Sequence, residues 1–350
     1  MQLEDKAKHD SAIARTADAL RNIYGGRDWL VAEPIVQAAI YRAEMLQGWG
    51  AREVFALGAV WGSGKRESAI FLFCLDGIEV PGMMANLRAG EAALDAISEA
   101  ARQRIDMWDP TTQARVIRAF YSSGRAIAGR ATWGRRPDEW QALENKVIID
   151  AIWDAAGVQR AASATVEADK KALVAAHQQF NEGAGTVWAA DNREGWHGSA
   201  SGIRWVHDAA TFERAVTWAE KRADQVRVMP FLEGIPCSIH GIVFSDYVIA
   251  LRPCEMLVLR EPETGKFHYA QAATTWDPAQ KDCQTMRKTA KRVGAYLRRQ
   301  YGYRGVFTID GVLTSTGFMP TELNPRFGAA LGLMGRGSRD RSISSSPRPC

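Results

Sequence analysis

Near the end of the chain, two carboxylates, an amide and an arginine stand at spacings that suit metal and phosphate chemistry. Asp310 lies in the segment TIDGV, and Glu322, Asn324 and Arg326 lie in TELNPR. Carboxylate and amide oxygens are the hard ligands that Mg²⁺ takes together with phosphate and water. The guanidinium of Arg326 can bind the same negatively charged group that such a metal would contact. Residue type therefore predicts a metal site made by Asp310, Glu322 and Asn324, with Arg326 beside it.

A β-hairpin is predicted to position these groups. Alternating apolar and polar residues predict a strand over 305–313 and a returning strand over 318–324. Gly317, in the turn between them, is free to take a positive φ. Residues two apart on a strand share a face, so direct pairing gathers Asp310, Glu322 and Asn324 on one side. The alternative is an exposed hairpin with scattered acids, which the order and spacing of these residues disfavour.

The same hairpin resembles the C-terminal signature of the ATP-grasp superfamily. That signature is an acidic residue on one strand followed by Glu-x-Asn-Pro-Arg on the next, and residues 322–326 match it residue for residue. The resemblance is specific here, weaker elsewhere, and covers about residues 141–335. It implies an α+β or α/β chain in which two subdomains grip ATP, preceded by a small α/β domain. The implied cofactors are ATP and Mg²⁺, with Mn²⁺ as an alternative metal.

The resemblance also implies roles for residues outside the hairpin. Lys146, in the triplet Glu-Asn-Lys, matches loosely the family's phosphate-binding lysine. The segment 226–234 resembles the hinge that receives adenine, which places Met229 and Phe231 beside the base. Glu233 is a substitute for the ribose-binding carboxylate, because Pro236 stands at the expected position. Arg252 is implied as a ligand of a substrate carboxylate or of the γ-phosphate, with a salt-bridged sheet-end arginine as the equal alternative.

One expected lysine is missing. The family usually has a lysine just before a glycine-rich loop, and this chain has Ala189 or Ala190 there, followed by a loop at 195–202. A charge-assisted contact of that kind contributes ~1.5–3 kcal/mol, so its loss would slow an enzyme without excluding ATP. Three basic residues in this region are candidates for compensation: Arg193, His197 and Arg204.

The predicted organisation is an N-terminal helical and α/β domain followed by the ATP-grasp domain. The breaker cluster at Trp133–Pro137 sets the boundary, because its glycine and proline interrupt helical periodicity. The predicted parts are an N-terminal domain over 1–136, a mobile lid over 137–225, a metal and ATP subdomain over 226–335, and a disordered tail over 336–350.

Within the N-terminal domain, residues 1–50 look helical, with one helix over 12–23 and a second from Glu33–Pro34 to about 47. Further elements predicted in this domain are strands over 53–60 and 68–75 and helices over 91–106 and 111–122. The ATP-grasp domain is predicted to begin with a helix over 137–157 that carries Lys146. Gly62-Ser63-Gly64-Lys65 lacks the first glycine and the hydroxyl of a P-loop, since Ala59 and Arg66 stand in their places. A plain turn is favoured there over a ligand-binding glycine loop.

Composition limits the class of protein. The net charge of +4 is dispersed, so neither a nucleic-acid arm nor a membrane surface is indicated. The polar N-terminus does not resemble a signal peptide, and no apolar run reaches the ~18 residues of a membrane span. The five cysteines are far apart, which predicts reduced thiols and a cytoplasmic location.

Two functions remain open from the sequence. The first is an ATP-dependent carboxylate–amine ligase that forms an amide or peptide bond through an acyl phosphate, with small-molecule substrates such as amino acids or peptides. The second is a non-catalytic or degenerate nucleotide-binding protein on the same fold, which the missing lysine and short C-terminus favour. Partners other than small molecules are not expected, apart from further copies of the chain in a homo-oligomer.

Overall fold

The computed structural model describes residues 2–64, 71–75, 82–119, 124–134, 136–195, 197–198, 200–328, 330–332 and 334. It divides the chain into two compact units, residues 1–137 and residues 138–350. Two sequence predictions fall outside the described residues: the end of the glycine segment at Lys65 and the tail over 336–350.

The N-terminal unit is built on a parallel four-stranded sheet with the order β3-β2-β1-β4. Alternate residues of β1 point to opposite faces, so Trp29 and Val31 enter one core while Leu30 and Ala32 enter the other. Burial on both faces explains the nearly continuous apolar sequence of this strand. The elements are α1 (Gln2–Tyr24), β1 (Asp28–Ile35), α2 (Val36–Gly48), β2 (Glu53–Val60), β3 (Phe71–Cys74), α3 (Met83–Asp95), α4 (Glu99–Trp108) and β4 (Arg115–Arg118).

Several predictions for this unit were wrong. The second helix begins at Val36, because Glu33 and Pro34 belong to β1, a strand that sequence analysis missed. The helix expected over 111–122 is absent from the described part of that segment, residues 111–119, where residues 115–118 form β4 against β1. A short apolar run does not distinguish a buried strand from a helix, so pairing with β1 decided the outcome. The single helix expected over 91–106 is two helices, and the Ser98 hydroxyl caps the second by accepting from the Ala101 amide at 3.2 Å.

The C-terminal unit contains two sheets. Four antiparallel strands form one with the order β5-β8-β6-β7, and the other runs β12-β11-β9-β13-β14 with β10 on β9. The elements are α5 (Asp138–Ala142), α6 (Ile149–Ala155), β5 (Ala164–Glu167), α7 (Lys170–Phe180), β6 (Thr186–Ala190), β7 (Ile203–Val206), α8 (Ala209–Arg222), β8 (Gln225–Pro230), β9 (Ile235–Val243), β10 (Val248–Ala250), β11 (Cys254–Glu261), β12 (Lys266–Ala273), α9 (Gln280–Tyr301), β13 (Gly305–Thr314) and β14 (Gly317–Asn324).

Each sheet buries one face under helices. In the four-stranded sheet, Trp188 of β6 and Val228 of β8 pack with Leu173 of α7 and Val216 of α8. In the six-stranded sheet, Phe307 and Ile309 of β13 pack with Val293 and Leu297 of α9. The mixed α/β class predicted from the sequence is confirmed.

Two boundaries in this unit differ from the sequence analysis. The single helix expected over 137–157 is the pair α5 and α6, and Lys146 lies in the turn between them. Strand β8 pairs with β5 and β6, so the change from one sheet to the other comes after Pro230 and not at 225/226. The division into a mobile lid and a metal subdomain stays a prediction.

Two further predictions can be compared with the structure. None of the helices in the described part of the chain is long and apolar enough to cross a membrane. Cys237 and Cys254 are buried free thiols, as expected for a reduced protein, and Cys74 is also buried. Cys283 is disulfide-bonded, so the expectation of reduced thiols is wrong at that position.

Candidate active site

The β13–β14 hairpin brings the predicted metal ligands together. Antiparallel pairing places Asp310 opposite Glu322 and Thr308 opposite Asn324. The Asn324 amide nitrogen donates to Asp310 Oδ2 at 2.9 Å. Gly317, in the turn, has φ = +119°, the positive value for which glycine is suited. Local pairing alone therefore assembles two carboxylates and one amide at adjacent positions of one sheet.

Asp310 is held from the neighbouring strand as well. It stands opposite Ser238 of β9, whose hydroxyl donates to Asp310 Oδ1. Burial, and then the negative charge of Glu322, raise the pKa of the Asp310 carboxyl to about 6. The cluster therefore contains one carboxyl whose ionised form is disfavoured by its surroundings.

Glu322 contacts the predicted phosphate-binding lysine. Lys146 Nζ lies 2.8 Å from Glu322 Oε1, and the side chains are 5% and 21% exposed. Burial acts to raise the pKa of Glu322, but the attraction of Lys146, followed by that of Arg326 and His197, outweighs it and lowers the pKa. Glu322 is therefore the ionised carboxylate of the cluster, with Lys146 as its main counter-charge.

Arg326 joins the cluster through its guanidinium. Its Nη2 donates to Asn324 Oδ1 at 2.9 Å, and its Nε donates to Glu144 Oε1 at 3.0 Å. The Arg326 amide also bonds the Asn324 carbonyl at 2.7 Å, which turns the chain directly after β14. A continuous series of contacts thus runs from Glu144 through Arg326 and Asn324 to Asp310.

The donor set fits a hard divalent cation. No group of three or more histidine, cysteine, aspartate or glutamate side chains in the described residues is arranged to hold a metal. Two carboxylates with one amide are a small set of protein ligands, which suits Mg²⁺ because this ion keeps waters and takes phosphate oxygens. Asp310 and Glu322 are the residues that would hold it. The Asn324 amide oxygen accepts one hydrogen bond, from Arg326, and has a second lone pair that could also ligate the ion.

Comparison with known proteins relies on structure. No family model matches the chain, and no curated protein is similar to it in sequence. An N5-carboxyaminoimidazole ribonucleotide synthetase in complex with ADP is similar over 92% of this chain and 74% of its own, at 14% identity and a TM-score of 0.55. An L-amino acid ligase from Bacillus licheniformis is similar over 87% of this chain and 68% of its own, at 13% identity and a TM-score of 0.55.

A third similar structure is the phosphoribosylamine–glycine ligase from Thermotoga maritima, with 16% identity and a TM-score of 0.52. It is matched over 86% of this chain and 69% of its own. The chain has the ATP-grasp fold. The superfamily resemblance that sequence analysis found in the hairpin is thereby confirmed at the level of the fold.

Within the ATP-grasp fold of this chain, Arg252 has partners of its own. Its Nη2 donates to the Trp276 carbonyl at 2.8 Å and to Asp277 Oδ1 at 3.1 Å. Its Nε is buried and has no hydrogen-bond partner in the described part of the chain. Among the described residues, its hydrogen bonds and ion pair join it to Trp276 and Asp277, and none joins it to Asp310 or Glu322. The catalytic role of Arg252 stays a prediction.

The predicted adenine hinge lies at the end of β8. Met229 is buried in this strand, and its sulfur accepts from Arg227 Nη1 at 3.3 Å. The Phe231 ring lies 4.9 Å from the Trp205 ring between centroids, and the Arg260 guanidinium lies over it at 5.3 Å. Glu233 is exposed. The adenine and ribose roles of Met229, Phe231 and Glu233 stay predictions.

The three candidates for the missing positive charge are engaged elsewhere. Arg193 bonds the Ala223 carbonyl at 3.0 Å and Asp224 at 3.1 Å. The guanidinium of Arg204 lies 4.4 Å from the centre of the Trp218 ring. His197 Nε2 lies 2.8 Å from the Asp191 carbonyl oxygen, and among these three only His197 contributes to the lowered pKa of Glu322.

A cation that sequence analysis missed stands beside the alanine. Arg227 of β8 lies directly opposite Ala189 of β6, so both side chains share a face of the four-stranded sheet. That face is opposite to the one packed under α7 and α8. Arg227 is 1% exposed and pairs with Asp150 Oδ1 at 2.8 Å. The strands are far apart in sequence, so only the register reveals this proximity.

Sequence analysis also missed two residues that hold members of the cluster in place, the acceptor Glu144 and the donor Ser238. Glu144, which holds Arg326, stands two residues before Lys146 and had a detectable signal in the triplet Glu-Asn-Lys. Ser238, which holds Asp310, had none, because it is one of many serines and its partner lies on another strand.

Proposed function

We propose that this protein is an ATP-dependent carboxylate–amine ligase. The observation that carries the proposal is the partly buried cluster of Asp310, Glu322, Asn324 and Arg326, with Lys146 paired to Glu322, on the ATP-grasp fold. The names of the three similar structures describe a synthetase and two ligases, which supports the same reaction class. The proposed substrates are small molecules, a carboxylate and an amine of the amino-acid or peptide class.

In the proposed site, two residues of the cluster bind the metal and two others bind the ATP phosphates. Asp310 and Glu322 hold the divalent cation, which when bound neutralises charge on the ATP phosphates. Lys146 and Arg326 bind phosphate oxygens, Arg326 with a planar guanidinium suited to bidentate contact. Ser238 and Glu144 keep Asp310 and Arg326 in place through the hydrogen bonds described above. Met229 and Phe231 are proposed to contact adenine, and Glu233 is proposed to bind the ribose.

The proposed reaction has two steps. A substrate carboxylate oxygen attacks the γ-phosphorus of ATP, which forms an acyl phosphate and releases ADP. The amine then attacks the acyl carbon, and phosphate leaves as the amide bond forms. Neither step needs a protein nucleophile, so the protein contributes by orientation and charge stabilisation. Arg252 is proposed to bind the carboxylate or the transferred phosphoryl group.

A nucleotide-binding protein without turnover is the second candidate. Ala189 or Ala190 stands where the superfamily usually has a lysine, and the cation opposite Ala189, Arg227, is already paired with Asp150. Binding needs only the metal and phosphate contacts, whereas turnover also needs both substrates in position. Phosphate release therefore distinguishes the two functions.

The first test is ligand-dependent unfolding. Wild type should unfold at a higher temperature with Mg·ATP than with Mg²⁺ or ATP alone, because a ligand at 100 times its Kd stabilises the native state by ~2.7 kcal/mol. That amounts to a shift of several degrees. Glu322→Gln should lose the shift. The matched control is Glu213→Gln, since Glu213 is 62% exposed and pairs with Lys170 on the surface.

The second test is turnover. Phosphate release is measured with ATP, Mg²⁺ and pairs of carboxylates and amines, beginning with amino acids. Release that depends on both substrates supports the ligase. A Mg·ATP shift without release under any pair supports the non-catalytic function, and no shift at millimolar Mg·ATP contradicts both.

A further inference from the structure

We propose that Lys146 is an exchangeable counter-ion that prevents divalent metal from binding at Glu322 unless nucleotide phosphate is present. In the metal-free chain its ammonium neutralises Glu322, and when the metal and ATP bind together it moves to a phosphate oxygen. The inference rests on the proposed function and adds to it a rule of binding order. The observation behind it is the contact of Lys146 Nζ with Glu322 Oε1 at 2.8 Å.

Lys146 is the principal counter-charge of Glu322. It heads the cations that lower the pKa of Glu322, ahead of Arg326 and His197. Arg326 donates from its Nε to Glu144 and from its Nη2 to Asn324, whereas Lys146 contacts the Glu322 carboxylate directly. Neutralisation of Glu322 therefore falls mainly on one ammonium group.

The metal and the ammonium compete for the same carboxylate. Two positive charges a few ångströms apart repel strongly where water is scarce, and Lys146 is only 5% exposed. A metal that binds alone must therefore displace the ammonium. The displaced ammonium would be left buried without a partner, which is strongly unfavourable. Mg·ATP avoids that cost, because its phosphates supply a new anion for the ammonium.

The local backbone permits such a movement. Lys146 lies in the turn between two short helices, α5 with 5 residues and α6 with 7 residues. The turn is tied by a bond from the Val147 amide to Asn145 Oδ1 at 3.3 Å and by the Thr165 hydroxyl to the Val147 carbonyl at 3.1 Å. These contacts hold the backbone at Val147, directly after Lys146. The proposed change of partner therefore requires only rotation of the long Lys146 side chain.

The test measures Mn²⁺ binding without nucleotide, from the electron paramagnetic resonance signal of free Mn²⁺. We expect Lys146→Met to bind Mn²⁺ at least about tenfold more tightly than wild type, a coupling of the usual size between linked sites. The same variant should bind Mn·ATP more weakly, since the phosphate has lost its ammonium. Lys146→Met with Mn²⁺ affinity equal to or weaker than that of wild type overturns the proposal.

Three control variants test whether loss of the Lys146 charge next to Glu322 causes the gain in Mn²⁺ affinity. Lys146→Arg keeps the charge and should leave binding of Mn²⁺ alone as weak as in wild type. Adding Glu322→Gln to Lys146→Met should remove the gained affinity. Lys170→Met removes a lysine that also lies 2.8 Å from a glutamate, Glu213, but on an exposed surface, and should change nothing. A gain with Lys170→Met would show a general charge effect and would overturn the proposal.

A loss of stability does not prevent the test. Lys146→Met leaves the partly buried Glu322 without its main counter-ion, so the unfolding temperature of the variant should fall. Mn²⁺ alone should raise that temperature by more than it raises the wild-type value. Equal shifts contradict the exchange. If wild type binds Mg·ATP but Lys146→Met gains no Mn²⁺ affinity, the exchange fails and the proposed function stands. If Lys146→Met gains affinity but wild type shows no Mg·ATP binding, the proposed function fails and the counter-ion role stands.

Discussion

Neighbouring carboxyls in this site differ in pKa because only one of them contacts a cation. Asp310 and Glu322 stand opposite each other in the hairpin, and burial acts on both to favour the neutral form. Lys146 touches Glu322 and lowers its pKa, whereas Asp310 accepts hydrogen bonds from the uncharged Ser238 and Asn324. The position of one ammonium group therefore shifts the pKa values of two similar carboxyls in opposite directions.

A second buried carboxyl gives a prediction about stability and pH. Glu33, at the end of β1, is 4% exposed, and burial raises its pKa from 4.5 to about 7 despite the nearby Arg42. The folded state therefore holds this proton more tightly than the unfolded chain. Stability from this group is complete below the unfolded pKa and is lost as pH rises through about 7. The full loss is on the order of 3 kcal/mol.

Glu33→Gln should remove that dependence. We expect the wild-type unfolding temperature to fall between about pH 5 and about pH 8 by more than that of the variant, whose side chain cannot ionise. Other titrating groups are common to both proteins and cancel in the comparison. Calorimetric scans at the two pH values provide the measurement, and parallel changes in wild type and variant would contradict the burial argument.

At the scale of elements, one aromatic ring determines how closely a helix approaches the large sheet. Phe307 of β13 packs under α9, and both Gly241 of β9 and Gly294 of α9 leave room for its ring. A Cβ at Gly294 would lie 2.6 Å from Val248 Cγ1 and 3.0 Å from Phe307 Cε1. The glycine in the middle of α9 is thus a packing requirement, although glycine weakens a helix interior by about 1 kcal/mol.

Gly294→Ala should destabilise the protein for this reason. Overpacking costs about 1–3 kcal/mol, which exceeds or cancels the gain in helix propensity. The matched control is Gly48→Ala in α2, where an added Cβ meets nothing within 4 Å. We expect a lower denaturant midpoint for Gly294→Ala and an equal or higher one for Gly48→Ala. A gain in stability at both positions would contradict this argument, because it would show that the side chains around Gly294 shift to accommodate the added methyl group.

At the scale of the whole molecule, the proposed ATP and metal residues all belong to the C-terminal unit. Lys146, the hinge at 226–234 and the β13–β14 hairpin lie after residue 137, and this unit has its own hydrophobic cores. The N-terminal unit has separate cores on the two faces of its parallel sheet. Nucleotide binding is therefore expected to need only the C-terminal unit.

A fragment test follows from this division. Residues 138–334 produced alone should retain the Mg·ATP-dependent rise in unfolding temperature, and residues 1–137 alone should show none. The comparison is made at equal ligand concentration, so that the shift depends on affinity only. A fragment that folds cooperatively but does not respond to Mg·ATP would show that the N-terminal unit contributes to the nucleotide site.

The part of the site that the sequence predicted is the part made by local pairing. A hairpin places Asp310 opposite Glu322 because the two strands are adjacent in the chain and joined by a short turn with Gly317. Period-2 alternation and turn residues report such pairing directly. The signature Glu-x-Asn-Pro-Arg lies within one strand and the turn after it, so it too is visible without a fold.

The tertiary structure decided the partners that come from distant segments. The contact of Lys146 with Glu322, the place of Arg227 opposite Ala189, and the pairing of β4 with β1 each join residues far apart in sequence. Side-chain periodicity records which face of an element is apolar, but it does not record which other element will cover that face. By itself the sequence therefore determined which side chains the hairpin brings together for the proposed metal and phosphate chemistry. Only the folded chain determined which cations neutralise it, because charge interactions depend on distance in space.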